Sequence, residues 1–508
     1  MNTYLGIELG STRIKAVAID EGHRPVAAGD YSWASTLRDG IWTYDLEEAF
    51  SGLKTALAQV ADRENICAAG ISAMMHGYLA FDRDWNLLVP FRTWQNTMTA
   101  RAARELTELF GFNIPQRWSI AHLYQAILNK ESHIGRIAHL TTLAGYLHYR
   151  LTGENVVGIG EASGIFPIDS QGLCYDKTMV EAFDRLLEEH QLPWRLEEIL
   201  PAVQVAGTEA GRLTEAGAAL LDGLLPPGIV FAPPEGDAGT GMTATNAVAP
   251  QTGNISAGTS IFSMVVLEKP LSRVYEEIDM VTTPTGKPVA MVHCNNCTND
   301  SNAWVSVLKE TARLFGAEPT NGQVYEKLYA LSLEGDPDCG GVVVCNYMAG
   351  EGITGLDAGR PLVARTPDAK FTLANFFRAT LYSTMATLTL GMDILAGEQV
   401  RIRSLTGHGG LFKTPLVGQR YMAAACNAPV TCMDTAGEGG PYGMALLAAY
   451  CRKKAEKETL EQYLQEKVFA DTACTTLMPD PEDVRGFGAY MRAYRKLLAV
   501  ERAAVDNL

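Results

Sequence analysis

Gly6-Ile7-Glu8-Leu9-Gly10-Ser11-Thr12-Arg13-Ile14-Lys15-Ala16-Val17-Ala18-Ile19-Asp20 reads as two apolar strands joined by a turn of small residues. Ile7 and Leu9 lie two apart, as one face of a strand requires. Gly10-Ser11-Thr12 places backbone N–H groups and two hydroxyls at the tip of the turn. Successive N–H groups form a concavity that binds anions, so such a hairpin can wrap a phosphate. Glu8 precedes the turn by two residues, where its carboxylate could face a phosphate-bound metal. An ordinary hairpin with a small-residue turn accounts for this stretch equally well when it is taken alone.

The stretch recurs. Ile255-Ser256-Ala257-Gly258-Thr259-Ser260-Ile261-Phe262-Ser263-Met264-Val265-Val266 aligns with Ile7 to Ala18 without a gap, matching Gly10 to Gly258, Ser11 to Thr259 and Thr12 to Ser260. One such hairpin in each half implies two similar domains, 1–250 and 251–508. Two hairpins facing across a cleft could hold the ends of a triphosphate.

The totals agree with this division. A chain of 508 residues favours two or more domains with ample core. A net charge of −16 argues against nucleic acid as a partner, since its binders carry a basic surface. No apolar run approaches the ~18 residues of a membrane span, and the first strand begins almost at once, without a signal peptide. Ten scattered cysteines suit a reducing cytoplasm. Cys294-Asn295-Asn296-Cys297 has metal-like spacing, but no second pair follows at zinc-site distance, so a structural role leads.

Along the chain, 45–60 reads as an amphipathic helix with Leu46, Phe50, Leu53 and Leu57 on one face. The buried strand 67–73 runs into Met74-Met75-His76-Gly77, a break at a strand end, where α/β sheets commonly meet ligands. His76 taken alone reads first as a core histidine. Trp94-Gln95-Asn96 sets an aromatic face beside amides, the mixture a sugar site uses, or else forms a loop capping the helix 99–110. Helices are expected at 118–129, 136–151, 184–200 and 214–221, with Gly153 closing the second of them. After the strand 229–232, Asp237 stands at the start of a small-residue helix. It can cap that helix, serve as a general base at the strand end, or do both. The second half offers helices at 303–315, 320–331 and 371–395 and a strand at 402–405. Gly409-Gly410 follows that strand and allows backbone to approach a flat ligand. A last small-residue helix begins at Glu438-Gly439-Gly440-Pro441.

The ordered set of motifs resembles the FGGY carbohydrate kinases, of the actin-like, sugar-kinase and chaperone ATPase superfamily. Residues 6–20 are similar to the family's first phosphate motif, Ala257 to Ser260 to its second, and Gly409-Gly410 with Lys413 and Thr414 to its adenosine motif. Met75-His76-Gly77 resembles the sugar-contacting segment of xylulose and related ketose kinases. Asp237 falls where the family carries its catalytic aspartate, and Glu161-Ala162-Ser163 and 443–449 match two further family segments. The resemblance implies an α/β fold of two ribonuclease H-like (actin-like ATPase) domains flanking a nucleotide and sugar cleft. It implies ATP and Mg²⁺ as cofactors and phosphorylation of a small sugar, such as the ketose D-xylulose, at a terminal hydroxyl. Asp237 is then the base. Gly10, Ser11, Thr12, Gly258, Thr259, Ser260, Gly409 and Gly410 hold ATP, and Glu8 orients Mg²⁺ through water. Met75, His76, Gly77, Trp94 and Asn96 line the sugar. Relatives suggest a homodimer as the assembly.

Departures from the pattern bear on the substrate. Glu8 replaces the usual Asp and adds a methylene. Trp94-Gln95-Asn96-Thr97-Met98 lacks the carboxylate and cation of a Trp-x-Asp-x-Arg loop, and His408 and Leu411 interrupt the glycine run near the adenosine motif. Two alternatives follow: an ATP-driven conformational or partner-activating ATPase, and a catalytically weak sugar sensor.

Overall fold

The computed structural model describes residues 2–434 and 439–508, so Glu438 lies outside the described residues. The chain divides into two compact units. The first holds Met1–Pro250, Val266–Val289 and Glu438–Asp471; the second holds Gln251–Val265, Ala290–Gly437 and Thr472–Leu508. The expected boundary at 250/251 ends the first continuous stretch. The expectation that 251–508 forms one whole domain needs correction, because two later stretches belong to the first unit.

The first unit is built on a mixed sheet. Its order runs Val230–Phe231, Ile66–Ala73, Thr3–Leu9, Arg13–Ile19 and Pro25–Ser32, and Glu235–Gly236 pairs with the far end of Ile66–Ala73. Thr3–Leu9 is antiparallel to its hairpin partner and parallel to Ile66–Ala73. Leu5, Ile7 and Leu9 are fully buried in one core with Leu53, Ala56 and Leu57 of the helix Leu46–Gln59. Burial of each such large aliphatic side chain is worth about 1.5–3 kcal/mol. Asp45 caps that helix by accepting from the Glu47 N–H.

The helix Gly439–Lys453 packs on Thr3–Leu9, Arg13–Ile19, Ile66–Ala73 and the helix Asp237–Ala244. Its small residues allow backbone to approach backbone. A Cβ on Gly6 would stand 1.9 Å from the Pro441 carbonyl oxygen, and one on Gly443 would stand 1.9 Å from that of Thr240. This contact, which no local pattern announces, assigns the helix to the first unit.

In the second unit Thr252–Ala257 is again antiparallel to the next strand, Ile261–Val266, and parallel to a distant one, Ser404–His408. Ser404–His408 continues to Val430–Met433 and then Cys474–Leu477. The repeated topology carries one difference. Leu9 pairs with Ile14, whereas Ala257 pairs with Ile261, so residues 10–13 bridge the first hairpin and 258–260 the second. The gap-free sequence match therefore slips by one residue in register. A one-residue slip turns side chains to the opposite face, and while Glu8 stands opposite Lys15, Ser256 stands opposite Phe262. The long helix Leu373–Gly397 is buried along most of its length.

Several expected elements change. Residues 136–151 divide into the strand His139–Thr141 and the helix Leu143–Thr152, which stops at Gly153 with φ +81°. Residues 184–200 are the end of the helix Lys177–Leu186, a 3₁₀ turn and the short helix Leu196–Ile199. Here Pro193 and the left-handed Gln191 interrupt the apolar spacing that suggested one helix. Among the described residues no helix is long and apolar enough to cross a membrane.

Candidate active site

The first hairpin is pinned from beneath. The Trp33 indole N–H donates to the Gly10 carbonyl at 2.7 Å, the Tyr44 hydroxyl to the Ser11 carbonyl at 2.7 Å, and the Trp33 N–H to the Thr12 carbonyl at 3.2 Å. With the carbonyls engaged there, the exposed Ser11 and Thr12 present hydroxyls at the tip. The second hairpin repeats the device with other residues. Thr298 donates to the Gly258 carbonyl from its N–H and, at 2.7 Å, its hydroxyl, while the Cys297 N–H donates to the Thr259 carbonyl. The Cys294–Cys297 segment is thus a buttress for the hairpin. Both thiols are buried and pushed up in pKa by that burial. Among the described residues no group of three or more His, Cys, Asp or Glu could hold a metal ion.

Asp237 lies where two parallel strands end. Ile66–Ala73 and Glu235–Gly236 pair as far as Ala73 and Gly236, so the chain segments beginning at Met74 and Asp237 emerge side by side. The cap of the following helix is Gly236, and Asp237 is its first helical residue. The capping role expected for Asp237 therefore passes to its neighbour, and its Oδ1 accepts the Met75 N–H at 3.3 Å. Asp237 is an exposed residue, while its carboxyl has protein packed closely around it. Burial pushes its pKa up to about 6, against N–H bonds from Met75 and Ala238 and the Arg117 guanidinium. Arg117 is itself ion-paired to Asp279, which also accepts from the Asn113 amide at 3.2 Å.

Glu8 lies within the electrostatic reach of this aspartate. Burial, then the Asp237 charge, raise it to about 7, while Lys15 across the ladder works the other way. A carboxylate whose ionisation is opposed by burial and by a second carboxylate is one that a divalent cation relieves. The residues therefore fit Mg²⁺ held by one or two carboxylates with water and substrate phosphate completing its shell. The extra methylene of Glu8 has a counterpart in Gly440, where an added Cβ would stand 2.0 Å from Glu8 Oε1. The longer acid fills space that a glycine leaves open.

Just past the strand end, His76 is buried at φ +71°, a left-handed conformation uncommon for any residue but glycine. Its Nδ1 lies 3.3 Å from the Gly164 carbonyl, and its ring stacks on Trp118. Burial drives its pKa well below the ordinary value, with Arg117 adding to this. The imidazole is neutral, and donation from Nδ1–H leaves Nε2 as an acceptor. Gly77 at φ +96° packs on the Phe91 ring, and Tyr78 and Arg92 exchange backbone bonds, which joins this segment to the Trp94 loop. Trp94 is exposed. Asn96 is buried, its amide committed to the Trp42 N–H and carbonyl at 2.9 and 2.8 Å. These two bonds hold the loop to the strand Ile41–Thr43.

In the second unit, Gly409 at φ +98° packs on Ala257, whose carbonyl oxygen would meet an added Cβ at 2.5 Å. Its glycine identity is required by the close approach of the Ala257 backbone. Gly410 has open space beside it, with the Ala257 oxygen 3.9 Å from its ideal Cβ.

Residues 3–237 match the N-terminal domain, and residues 253–451 the C-terminal domain, of the FGGY family of carbohydrate kinases. The chain belongs to that family. It is an ATP-dependent carbohydrate kinase with the actin-like ATPase fold. Xylulose kinase of Escherichia coli is 24% identical over 492 residues, 90% of this chain and 92% of that one. The structure of xylulose kinase from Rhodospirillum rubrum matches with a TM-score of 0.79 at 18% identity, covering 100% of both chains. Gluconate kinase from Lactobacillus acidophilus matches with a TM-score of 0.78 at 17% identity, covering 98% of this chain and 99% of that one.

In this kinase, sequence reasoning missed Arg117, Asp279, Lys15 and Glu235. Lys15 stands opposite Glu8 because four residues, 10–13, bridge the hairpin, a count the sequence does not announce. Arg117 and Asp279 are 162 residues apart, and no local signal joins them.

Proposed function

We propose that this kinase transfers the terminal phosphoryl group of ATP to a terminal hydroxyl of a small ketose such as D-xylulose. The observation that carries the reading is Asp237, held by the Met75 N–H where two parallel strands end. Relatives named xylulose kinase favour the ketose, and the gluconate kinase of similar fold makes the acceptor the point for assay to decide.

Asp237 accepts the proton of the attacking hydroxyl. A base with a pKa near the working pH combines ionisation with proton-accepting strength. Neutral His76 accepts a sugar hydroxyl hydrogen bond at Nε2, Met75 and Gly77 shape the wall, and Trp94 offers a face for C–H groups. Gly10, Ser11 and Thr12 in the first unit receive phosphate, as do Gly258, Thr259 and Ser260 in the second, where Gly410 leaves room for nucleotide. Mg²⁺ at Glu8 would neutralise phosphate charge. Catalysis by such a site is mainly positioning and electrostatic stabilisation. All ten cysteines are free, which suits a cytoplasmic setting.

The test is Asp237→Ala, with sugar phosphate followed by ³¹P NMR and nucleotide binding followed separately. Turnover is expected to fall about 10²–10⁴-fold, the range for loss of a general base, with ATP still bound. Near-normal turnover contradicts the assignment.

A further inference from the structure

Glu235 sits two residues before Asp237 and is 1% exposed. Its Oε2 accepts the Glu161 N–H at 3.0 Å and its Oε1 the Gly160 N–H at 3.4 Å. Three glycines make room for this carboxyl. A Cβ on Gly158 would stand 2.3 Å from Oε1, one on Gly160 2.4 Å from Oε2, and one on Gly239 3.3 Å from Oε2. The Gly158 N–H donates in turn to the Pro234 carbonyl at 2.7 Å. The turn at 158–161 and the strand end at 234–236 are therefore tied by three hydrogen bonds, two of them to one buried side chain. Glu161, fully buried, closes the far side of Gly236, where an added Cβ would meet its Oε2 at 2.5 Å.

We propose that Glu235 is a positioning residue for the phosphoryl transfer, fixing the Glu235-Gly236-Asp237 backbone so that the Asp237 carboxyl stays on the Met75 N–H and aimed at the acceptor hydroxyl. It touches neither substrate nor nucleotide in this scheme and acts through Asp237. The inference rests on the assignment of Asp237 as the base. Gly236 has only a hydrogen where another residue would lend stiffness, so the ends of the turn must be held from outside. A carboxylate offers a separate acceptor oxygen to each of the two N–H groups. Burial pushes Glu235 up to about 8, and the N–H bonds from Gly160 and Glu161 work against it. Glutamine there keeps the shape and one acceptor oxygen but turns its NH₂ toward the other N–H, whereas leucine loses both acceptors.

The experiment compares Glu235→Gln and Glu235→Leu with the parent, each in the Asp237 and the Asp237→Ala backgrounds, measuring kcat, both KM values and the melting temperature. Misplacing a reacting group by about 1 Å costs up to about 10²-fold, so kcat should fall about 30- to 100-fold in the leucine variant and about three- to five-fold in the glutamine variant. Both KM values should stay within about threefold, the split expected when ground-state binding is untouched. With Asp237→Ala already present, neither change should lower the residual rate further. Equal losses in both backgrounds overturn the proposal, as does a glutamine variant at the parent kcat. Should the leucine chain fail to fold, the glutamine pair decides alone: its small loss must appear with Asp237 and vanish without it. If Asp237→Ala itself leaves turnover intact, the base assignment fails; if that variant is slow but the backgrounds are additive, only the role of Glu235 fails.

Discussion

Lowering the pH from 8 to 5 should cut kcat/KM about ten-fold, and the size of the fall follows from the surroundings of Asp237. A general base works ionised, so activity follows the charged fraction. With the carboxyl raised to about 6 by burial, about 9% is ionised at pH 5; at the ordinary value near 3.8, about 94% would be. The raised pKa therefore moves the acid limb up into an accessible window. Glu8, raised to about 7, adds a second limb of different character. A bound cation favours ionised Glu8 and draws that limb downward as Mg²⁺ increases, whereas the limb from Asp237 stays. The assay is direct chromatography of sugar phosphate at saturating Mg²⁺, which avoids pH-sensitive coupling enzymes. A profile flat from pH 8 to 5, or one whose limb survives in the residual activity of Asp237→Asn, would refute the reasoning.

Gly440→Ala should displace the Glu8 carboxyl, since the added Cβ would fall 2.0 Å from Oε1; the expected result is a raised Mg²⁺ requirement with little change in sugar KM. Gly443→Ala sets a Cβ 1.9 Å from the Thr240 carbonyl oxygen and should cost about 1–3 kcal/mol in urea unfolding, the range for overpacking a well-filled contact. Glu235 has a folded pKa near 8 against about 4.5 unfolded, so its contribution to stability is full below 4.5 and is lost as pH rises through 8. Between pH 6 and 8 the parent should lose about 2 kcal/mol relative to Glu235→Gln, as read from paired urea curves. Arg117→Met removes the cation that holds Asp237 down and should move the acid limb of kcat/KM to higher pH.

The elements legible in the sequence were those whose causes are local. The hairpin at Gly10 and its repeat at Gly258 show in the pattern of small and apolar residues, and Asp237 shows as an acid at a strand-to-helix junction. The register slip between the hairpins is invisible, because it depends on how many residues bridge each ladder and not on their identities. Asn96 had the chemistry of a sugar ligand, but the Trp42 backbone, 54 residues away, uses its amide. Gly409 reads as a glycine for close approach, but that the Ala257 backbone requires it is set by strand pairing and not by local pattern. The helix at 439–453 carries its destination in Gly440, Gly443 and Ala445, yet small residues say only that something comes close. Glu235 was masked by a more prominent neighbour, Asp237, and its partners at 160–161 are supplied by topology alone.

The most direct measurement is ADP release with MgATP across a panel of pentuloses, hexuloses, aldonates and polyols, run beside the Asp237→Ala chain. The account predicts strong stimulation by one small ketose, with a sugar phosphate as product and the stimulation lost in the variant. A steady ATP turnover that no sugar stimulates, or stimulation that survives in the variant, would contradict it.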